Sequence, residues 1–211
     1  MLSAKKAKRF LVPAFLGGAA LLVSLALAGP DAFEFMPKGG REMLLEVVGR
    51  CANCDDIITT VTTRRTQEEW LKYFTGRQSS LKNLAEEKKK GALATLAEKQ
   101  TSTLVSYLAI NTPIPKEKLP KDVKKIDWVS FLPPDGRQLT LEKCMACHSI
   151  GVTVLNTADT RGWAMILRKS DHAVIKLTDK ETETLKFYLA VNMPVPEEVV
   201  PEELRKSGGA Y

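Results

Sequence analysis

Histidine is scarce in this chain, and cysteine occurs in a single pattern. The 211 residues include two histidines, His148 and His172, and four cysteines. Every cysteine belongs to a C-x-x-C pair, which excludes the scattered disulfide framework of small secreted domains. Neither histidine nor methionine occurs between Met43 and Cys144. That long stretch therefore lacks the nitrogen and thioether side chains that usually bind transition metals.

Strand-like sequence is also lacking, because no segment alternates apolar and polar residues over the length of a strand. Aromatic residues make up 7 % of the chain, and the periodic stretches have helical spacing. Capping-box patterns at Thr66–Glu69 and Thr178–Glu181 predict helix starts. Two later helices should end where the chain reads Asn-x-Pro-x-Pro, since proline cannot continue a helix. The sequence predicts an all-α fold.

The basic charge is concentrated at the N-terminus. The net charge is +6, and four of the positive charges are Lys5, Lys6, Lys8 and Arg9. The remainder of the chain is therefore close to neutral. This balance gives no electrostatic basis for binding nucleic acid.

Residues 1–30 have the pattern of a signal anchor. The basic start is followed by an uncharged run from Phe10 to Ala28, long enough to span a bilayer. We expect a single-pass transmembrane helix in the cytoplasmic (inner) membrane with the basic end inside and the rest on the periplasmic side. The alternative is a cleaved signal peptide, because Ala26-Leu27-Ala28 fits the small-x-small cleavage rule.

Residues 144–148 read Cys-Met-Ala-Cys-His, the C-x-x-C-H attachment signature of a c-type haem. Cys144 and Cys147, one turn apart, can bind the two vinyl groups of one porphyrin. His148 directly after them is the expected proximal ligand of the iron.

The same unit occurs earlier in altered form, because residues 51–55 read Cys-Ala-Asn-Cys-Asp. Trp70 follows Asp55 at the same spacing as Trp163 follows His148. Residues 107–115 and 188–196 then share the ending Tyr-Leu-Ala-x-Asn-x-Pro-x-Pro. The sequence therefore contains an internal repeat, with domains expected at 36–120 and 121–211. The first copy is longer by an insertion around residues 81–92, which should form an enlarged loop or a helix extension.

Residues 124–196, and 41–115 in degenerate form, resemble the class I cytochrome c family. The resemblance depends on the C-x-x-C-H motif in an N-terminal helix and on the Tyr-Leu pair in a C-terminal helix. It implies one covalent haem c on Cys144, Cys147 and His148. It also implies a distal ligand, usually methionine, in a loop before Tyr188. The corresponding positions here are Ser170 and Asp171, so the sequence departs from the family pattern.

His172 is the nearest side chain that can bind iron from the distal side, and we expect it in a loop between helices. An unligated, exposed histidine is the alternative reading of this position. Met165 and Met193 are the other candidate ligands. Met165 should lie within a helix whose apolar face packs on the core, and Met193 follows the final helix.

The first copy is expected to be haem-free, because Asp55 is a poor ligand for haem iron. Cys51 and Cys54 would then form a disulfide in the exported compartment. A thioredoxin-like redox pair and an unusual retained haem are the alternatives. Trp70 and Trp163 occupy matching positions although one copy alone should hold haem, which favours a packing role for both rings.

These features predict a membrane-anchored monohaem cytochrome that carries single electrons within a respiratory or photosynthetic complex. Its partners would be redox proteins or subunits of a membrane complex. No catalytic carboxylate, nucleophile or second metal motif accompanies the haem signature, so the chain is not expected to be an enzyme. The alternative function is a non-catalytic structural, docking or haem-sensing subunit.

Overall fold

The computed structural model describes residues 30–50, 55–82 and 98–205. These residues form helices and connecting turns with no strand among them, which confirms the all-α prediction. The chain contacts divide it into units at 1–34 and 35–211. The described part of the first unit is a 3₁₀ turn at Pro30–Phe33. The expected domains 36–120 and 121–211 both belong to the second unit.

The predicted anchor, apart from Pro30, lies outside the described residues, as do Cys51 and Cys54. In the described ranges, none of the helices is long and apolar enough to cross a bilayer.

The first copy of the repeat forms four α-helices. They are α1 (Gly40–Arg50), α2 (Ile57–Thr62), α3 (Gln67–Lys82) and α4 (Glu98–Asn111). Helix α1 contacts α4, and α3 also packs on α4. The buried apolar side chains from these helices form one cluster that includes Met43, Leu44, Val61, Trp70, Phe74, Leu104 and Leu108. Burial of this cluster stabilises the packing of these helices.

A linker and the second copy follow. The linker carries 3₁₀ turns at Lys116–Lys118 and Val123–Lys125 and the short helix α5 (Trp128–Phe131). The second copy contains α6 (Gly136–Leu139), a π-helical turn at Thr140–Cys144, α7 (Ile150–Val154), α8 (Thr160–Leu167) and α9 (Asp179–Asn192). The chain then forms a 3₁₀ turn at Glu197–Val199 and α10 (Glu202–Arg205).

The capping boxes and helix ends predicted from the sequence are present. The Thr66 hydroxyl accepts the Glu69 N–H at 3.2 Å, and the Glu69 carboxylate accepts the Thr66 N–H at 2.7 Å. Thr178 and Glu181 form the same reciprocal pair at the start of α9. These bonds satisfy backbone donors that a helix start leaves unpaired.

Corresponding contacts recur in the two copies. A Cβ on Gly40 would overlap the Tyr107 side chain, and a Cβ on Gly136 would overlap that of Tyr188. Only glycine therefore allows the first helix of each copy to approach its last helix so closely. Matching backbone bonds follow the last helix of each copy. The Ile114 N–H donates to the Val61 carbonyl at 2.7 Å in the first copy, and the Val195 N–H donates to the Val154 carbonyl at 2.9 Å in the second.

The last helices of the two copies, α4 and α9, pack against each other. Two reciprocal hydrogen bonds cross this contact between buried side chains. The Asn111 amide donates to the Thr184 hydroxyl at 3.0 Å, and the Asn192 amide donates to the Thr103 hydroxyl at 2.8 Å. Each copy thus supplies one donor and one acceptor, so the contact has approximate two-fold symmetry.

A second reciprocal pair joins each last helix to the segment before the first helix of the other copy. The Tyr107 hydroxyl donates to the Pro133 carbonyl at 2.8 Å, and the Tyr188 hydroxyl donates to the Pro37 carbonyl at 2.6 Å. The two copies are therefore interlocked by polar contacts.

The copies differ most after their tryptophan. Helix α8 ends at Leu167, which corresponds to Phe74, but α3 continues to Lys82. The described start of the predicted insertion is therefore a helix extension, and residues 83–97 lie outside the described residues.

Candidate haem site

The C-x-x-C-H segment follows directly from a short helix. Helix α6 continues into the π-helical turn Thr140–Cys144, and a further turn joins the Cys147 N–H to the Cys144 carbonyl at 3.4 Å. Both cysteines are free thiols; Cys144 is buried and Cys147 is exposed. Cys144 thus ends the helical segment and Cys147 lies in the turn directly after it, a spacing suited to attachment to one porphyrin.

His148 is half-buried and has a defined ring orientation. Its Nδ1 lies 3.1 Å from the Ser149 carbonyl oxygen. Because a carbonyl only accepts, the neutral tautomer that fits this contact has the proton on Nδ1 and the lone pair on Nε2. A metal-binding histidine is commonly held in this way, by a bond from its other ring nitrogen to a backbone carbonyl.

The thiol of Cys144 is held in its neutral form. Burial raises the pKa of Cys144 to about 11, although a hydrogen bond with Thr153 acts in the opposite direction. Before any attachment chemistry, Cys144 is therefore a protonated thiol that packs as an apolar side chain.

The start of this segment is fixed by a buried carboxylate. Asp135 caps α6, because its Oδ1 accepts the Gln138 N–H at 3.0 Å. Leu139 and Thr140 are fully buried one turn later. The cap and this burial together set the direction in which the chain reaches Cys144.

In the second copy, Trp163 Nε1 and Ser149 Oγ are buried without a hydrogen-bond partner in the described residues. The indole N–H of Trp163 would suit an acceptor brought by a cofactor, such as a haem propionate. Trp70 Nε1 in the first copy also lacks a partner. The unpaired indole N–H is common to both copies, so the fit of a haem depends on Cys144, Cys147 and His148.

His172 lies in a 3₁₀ turn, Ser170–His172, between α8 and α9, which is the predicted connection. Its Nδ1 is 2.7 Å from the Ile166 carbonyl, which leaves Nε2 available to a metal. The half-buried ring lines a cavity of about 500 Å³ beside Leu167 and Ile175. Cys144, Cys147 and His148 are not part of that lining. The lining of this cavity thus includes His172 and none of the three residues of the C-x-x-C-H motif.

The two methionines differ sharply in exposure. Met165 lies within α8, as expected, and it is 59 % exposed, so it is not on the face of α8 that buries Trp163. It is two residues beyond Trp163, which rotates it to a different face of the helix from the buried indole. Met193 is buried and follows α9, where its N–H donates to the Leu189 carbonyl at 2.9 Å.

In the first copy, an ion pair stands where the second copy has its histidine. The Asp55 carboxylate lies 3.3 Å from Nη2 of Arg65. The Arg65 guanidinium carbon is 4.5 Å from the centroid of the Trp70 ring and 4.4 Å from that of Tyr73. The Tyr73 hydroxyl also accepts the Asp55 N–H at 3.0 Å. Charge pairing and cation–π contact hold Arg65 in this position.

The corresponding side chains of the second copy are much smaller. By the spacing of the repeat, Arg65 corresponds to Ala158, and Tyr73 corresponds to Ile166. The change from histidine to Asp55 is therefore accompanied by bulkier and charged side chains around it. Both tryptophans are buried, as the packing interpretation expects.

Sequence reasoning missed Arg65, Asp135 and the hydroxyl contacts of the tyrosines. Aligning the two copies between the cysteines and the tryptophan would have exposed the exchange of Ala158 for Arg65. Asp135 also accepts hydrogen bonds from the backbone N–H groups of Arg41 and Glu42 in the first copy. No local sequence pattern predicts these long-range bonds.

Comparison of the chain with protein-family models, with curated proteins and with solved structures found no match.

Proposed function

We propose that this chain is a membrane-anchored monohaem c-type cytochrome that carries single electrons. The haem would be attached to Cys144 and Cys147, with His148 as the proximal ligand of its iron. The observation that carries the proposal is the placement of Cys144 at the end of a helical segment and of Cys147 in the next turn, followed by an imidazole whose Nδ1 is bound to a carbonyl. When bound, haem supplies an iron that gains and loses one electron.

The protein side chains orient and shield this group. The Nδ1–H bond to Ser149 holds the imidazole of His148 in one orientation, which makes Nε2 the ligand atom. Burial of Cys144 puts one attachment point against the apolar interior, whereas Cys147 faces solvent. One edge of the haem would thus be near the surface, where a partner can exchange an electron with it.

The first copy would hold no haem. The Asp55 carboxylate and the Arg65 guanidinium fill the place that the ligand and its surroundings take in the second copy. A carboxylate that is already paired with arginine is a poor ligand for haem iron. We therefore propose two tandem cytochrome c-like domains with one haem, and Cys51 and Cys54 joined as a disulfide.

The proposed location is the inner membrane, with residues 36–211 on the periplasmic side. The support is the sequence of residues 1–30, which joins a basic start to an apolar run. Retention of the chain by carbonate-washed membranes would test the anchor. Partners would be redox proteins or subunits of a membrane complex, and the chain itself would not be an enzyme.

A structural or docking subunit is the second candidate. The observation in its favour is the first copy, which keeps a packed core and the interlocked contact with α9 although its ligand position holds Asp55. Electron-transfer kinetics with a purified partner complex would distinguish the two functions. An electron carrier is reduced and reoxidised at the turnover rate of the complex, and a structural subunit is not.

The direct experiment is a spectrum of the purified protein with pyridine haemochrome quantitation. We expect a c-type spectrum with one haem per chain in the native protein. The double variant Cys144→Ser/Cys147→Ser should lose covalent haem, whereas Cys51→Ser/Cys54→Ser should keep it. Loss of haem from the second variant alone would contradict the assignment of the site.

A further inference from the structure

The start of helix α6 is held by residues of the first copy as well as by its own. Asp135 is 3 % exposed, and its two carboxylate oxygens have different partners. Oδ1 accepts the Gln138 N–H of α6, whereas Oδ2 accepts the Arg41 N–H at 3.1 Å and the Glu42 N–H at 3.3 Å. One buried carboxylate therefore caps α1 and α6 together.

Tyr107 of α4 supports the same segment. Its hydroxyl donates to the carbonyl of Pro133, two residues before Asp135. Burial raises the pKa of Tyr107 far above its usual range, and the negative charge of Asp135 adds to the effect, while Arg41 opposes it. The hydroxyl therefore stays protonated, and so remains a donor, at neutral pH.

Gly39 provides the space for this arrangement. A Cβ at position 39 would overlap the carboxyl group of Asp135. Gly40 and Gly136 occupy corresponding places against Tyr107 and Tyr188. The residues just before them, Gly39 and Asp135, therefore correspond as well. The two-fold relationship of the copies is therefore broken here, because glycine in the first copy leaves room for the aspartate of the second.

We infer that the haem-free copy positions the haem-attachment segment. Helix α6 has a single turn, and it continues without interruption into Thr140–Cys144. A shift at Asp135 would therefore be transmitted to Cys144 through a continuous helical segment. Tyr107 and Asp135 are positioning residues, which act on the haem environment through α6. This inference rests on the proposed function, because it assumes haem at Cys144 and Cys147.

Tyr107→Phe in the full-length protein tests this inference, with Tyr188→Phe as the matched control. Each variant removes one hydroxyl that bonds a proline carbonyl in the other copy. Amide hydrogen exchange across residues 136–147 should become about fivefold faster in Tyr107→Phe, as loss of a hydrogen bond worth about 1 kcal/mol implies. Tyr188→Phe should accelerate exchange across residues 38–48 instead.

The reduction potential of the haem is a second readout, and a change in overall stability alone would not alter it. A loosened attachment segment admits water to the haem, which favours the ferric state and lowers the potential. The midpoint potential should therefore fall in Tyr107→Phe and stay at the wild-type value in Tyr188→Phe.

Gly39→Ala gives a second, independent variant, because its methyl group must displace the Asp135 carboxylate. It should accelerate exchange across 136–147 and lower the potential with haem content unchanged. Wild-type exchange across 136–147 in both first-copy variants, or a wild-type potential in both, would overturn the inference. A chain without haem would instead refute the proposed function. The hydrogen-exchange comparison would still show whether residues of the first copy stabilise α6.

Discussion

Asp55 and Arg65 form an ion pair at 3.3 Å at the place where the repeat puts His148 and Ala158 in the second copy. The guanidinium is also packed against the rings of Trp70 and Tyr73. In the first copy a carboxylate thus takes the position of the second copy's histidine, and the arginine that pairs with it fills the neighbouring space. The ion pair and the ring contacts together stabilise this part of the first copy.

Replacing Arg65 by alanine should destabilise the protein by about 1–2 kcal/mol. The substitution removes two ring contacts and leaves the half-buried Asp55 carboxylate without its cation. Urea unfolding followed by circular dichroism measures the change. Arg64→Ala is the control, because Arg64 is the exposed neighbour in the chain. Equal stability of the two variants would show that the contacts of Arg65 with Asp55, Trp70 and Tyr73 contribute nothing to the free energy of unfolding.

Local signals account for what the sequence predicted well. The capping boxes at Thr66 and Thr178 and the prolines after Asn111 and Asn192 act within one helical turn, so helix starts and ends could be predicted from them. The repeat likewise indicated that Trp70 and Trp163 would have matching burial. Each of these features depends on residues close in sequence or on a motif present twice.

The contact between the two copies could not be predicted in this way. Asn111 and Thr184 are far apart in sequence, and neither belongs to a local motif that predicts a partner for its side chain. Their hydrogen bond exists because α4 packs on α9, which is a property of the whole fold.

A double-mutant cycle on Asn111 and Thr184 should reveal this coupling. Asn111→Ala and Thr184→Val each remove one partner of a buried hydrogen bond, and each should cost about 1–3 kcal/mol. The double variant should be less destabilised than the sum of the two single variants, because it removes both partners of this bond and leaves neither of them unsatisfied. Additive effects within about 0.3 kcal/mol would mean that the two side chains do not interact.

The two thiols of the haem motif should react at different rates in the reduced chain before haem attachment. Iodoacetamide attacks the thiolate, and burial raises the pKa of Cys144 from its ordinary 9.0 to about 11. Mass spectrometry should therefore find exposed Cys147 modified first at neutral pH.

The raised pKa of Cys144 also predicts that the free energy of unfolding depends on pH. Because the folded pKa of Cys144 lies above the unfolded value, its contribution to stability is complete below about pH 9 and is lost as pH rises towards 11. A Cys144→Ala variant should therefore lose less stability than the parent chain over that range. Faster modification of Cys144 than of Cys147 would contradict the assigned burial.

The distal ligand remains a prediction from the sequence, with His172 as the expected residue. Its Nδ1 is bonded to the Ile166 carbonyl, so Nε2 would be the ligand atom. His172→Ala should convert a low-spin haem spectrum to high-spin and open the iron to carbon monoxide. A bis-histidine site should also have a low potential, because it lacks the thioether that favours ferrous iron.

Met165→Ala and Met193→Ala are the matched variants for this test, and both should keep the low-spin spectrum. If Met193→Ala alone loses it, the buried methionine after α9 is the ligand, and the potential should be correspondingly higher. The position of His172 could be predicted as a connection between helices, but the exposure of Met165 could not, because it depends on how α8 is rotated.

Intact mass spectrometry of the native protein tests the central claim most directly. The chain has two C-x-x-C pairs but one following histidine, and Asp55 at the other position is paired with Arg65. We therefore expect the mass of the chain plus one haem, with peptide mapping that places it on Cys144 and Cys147. A mass corresponding to two haems, or to none, would contradict the account.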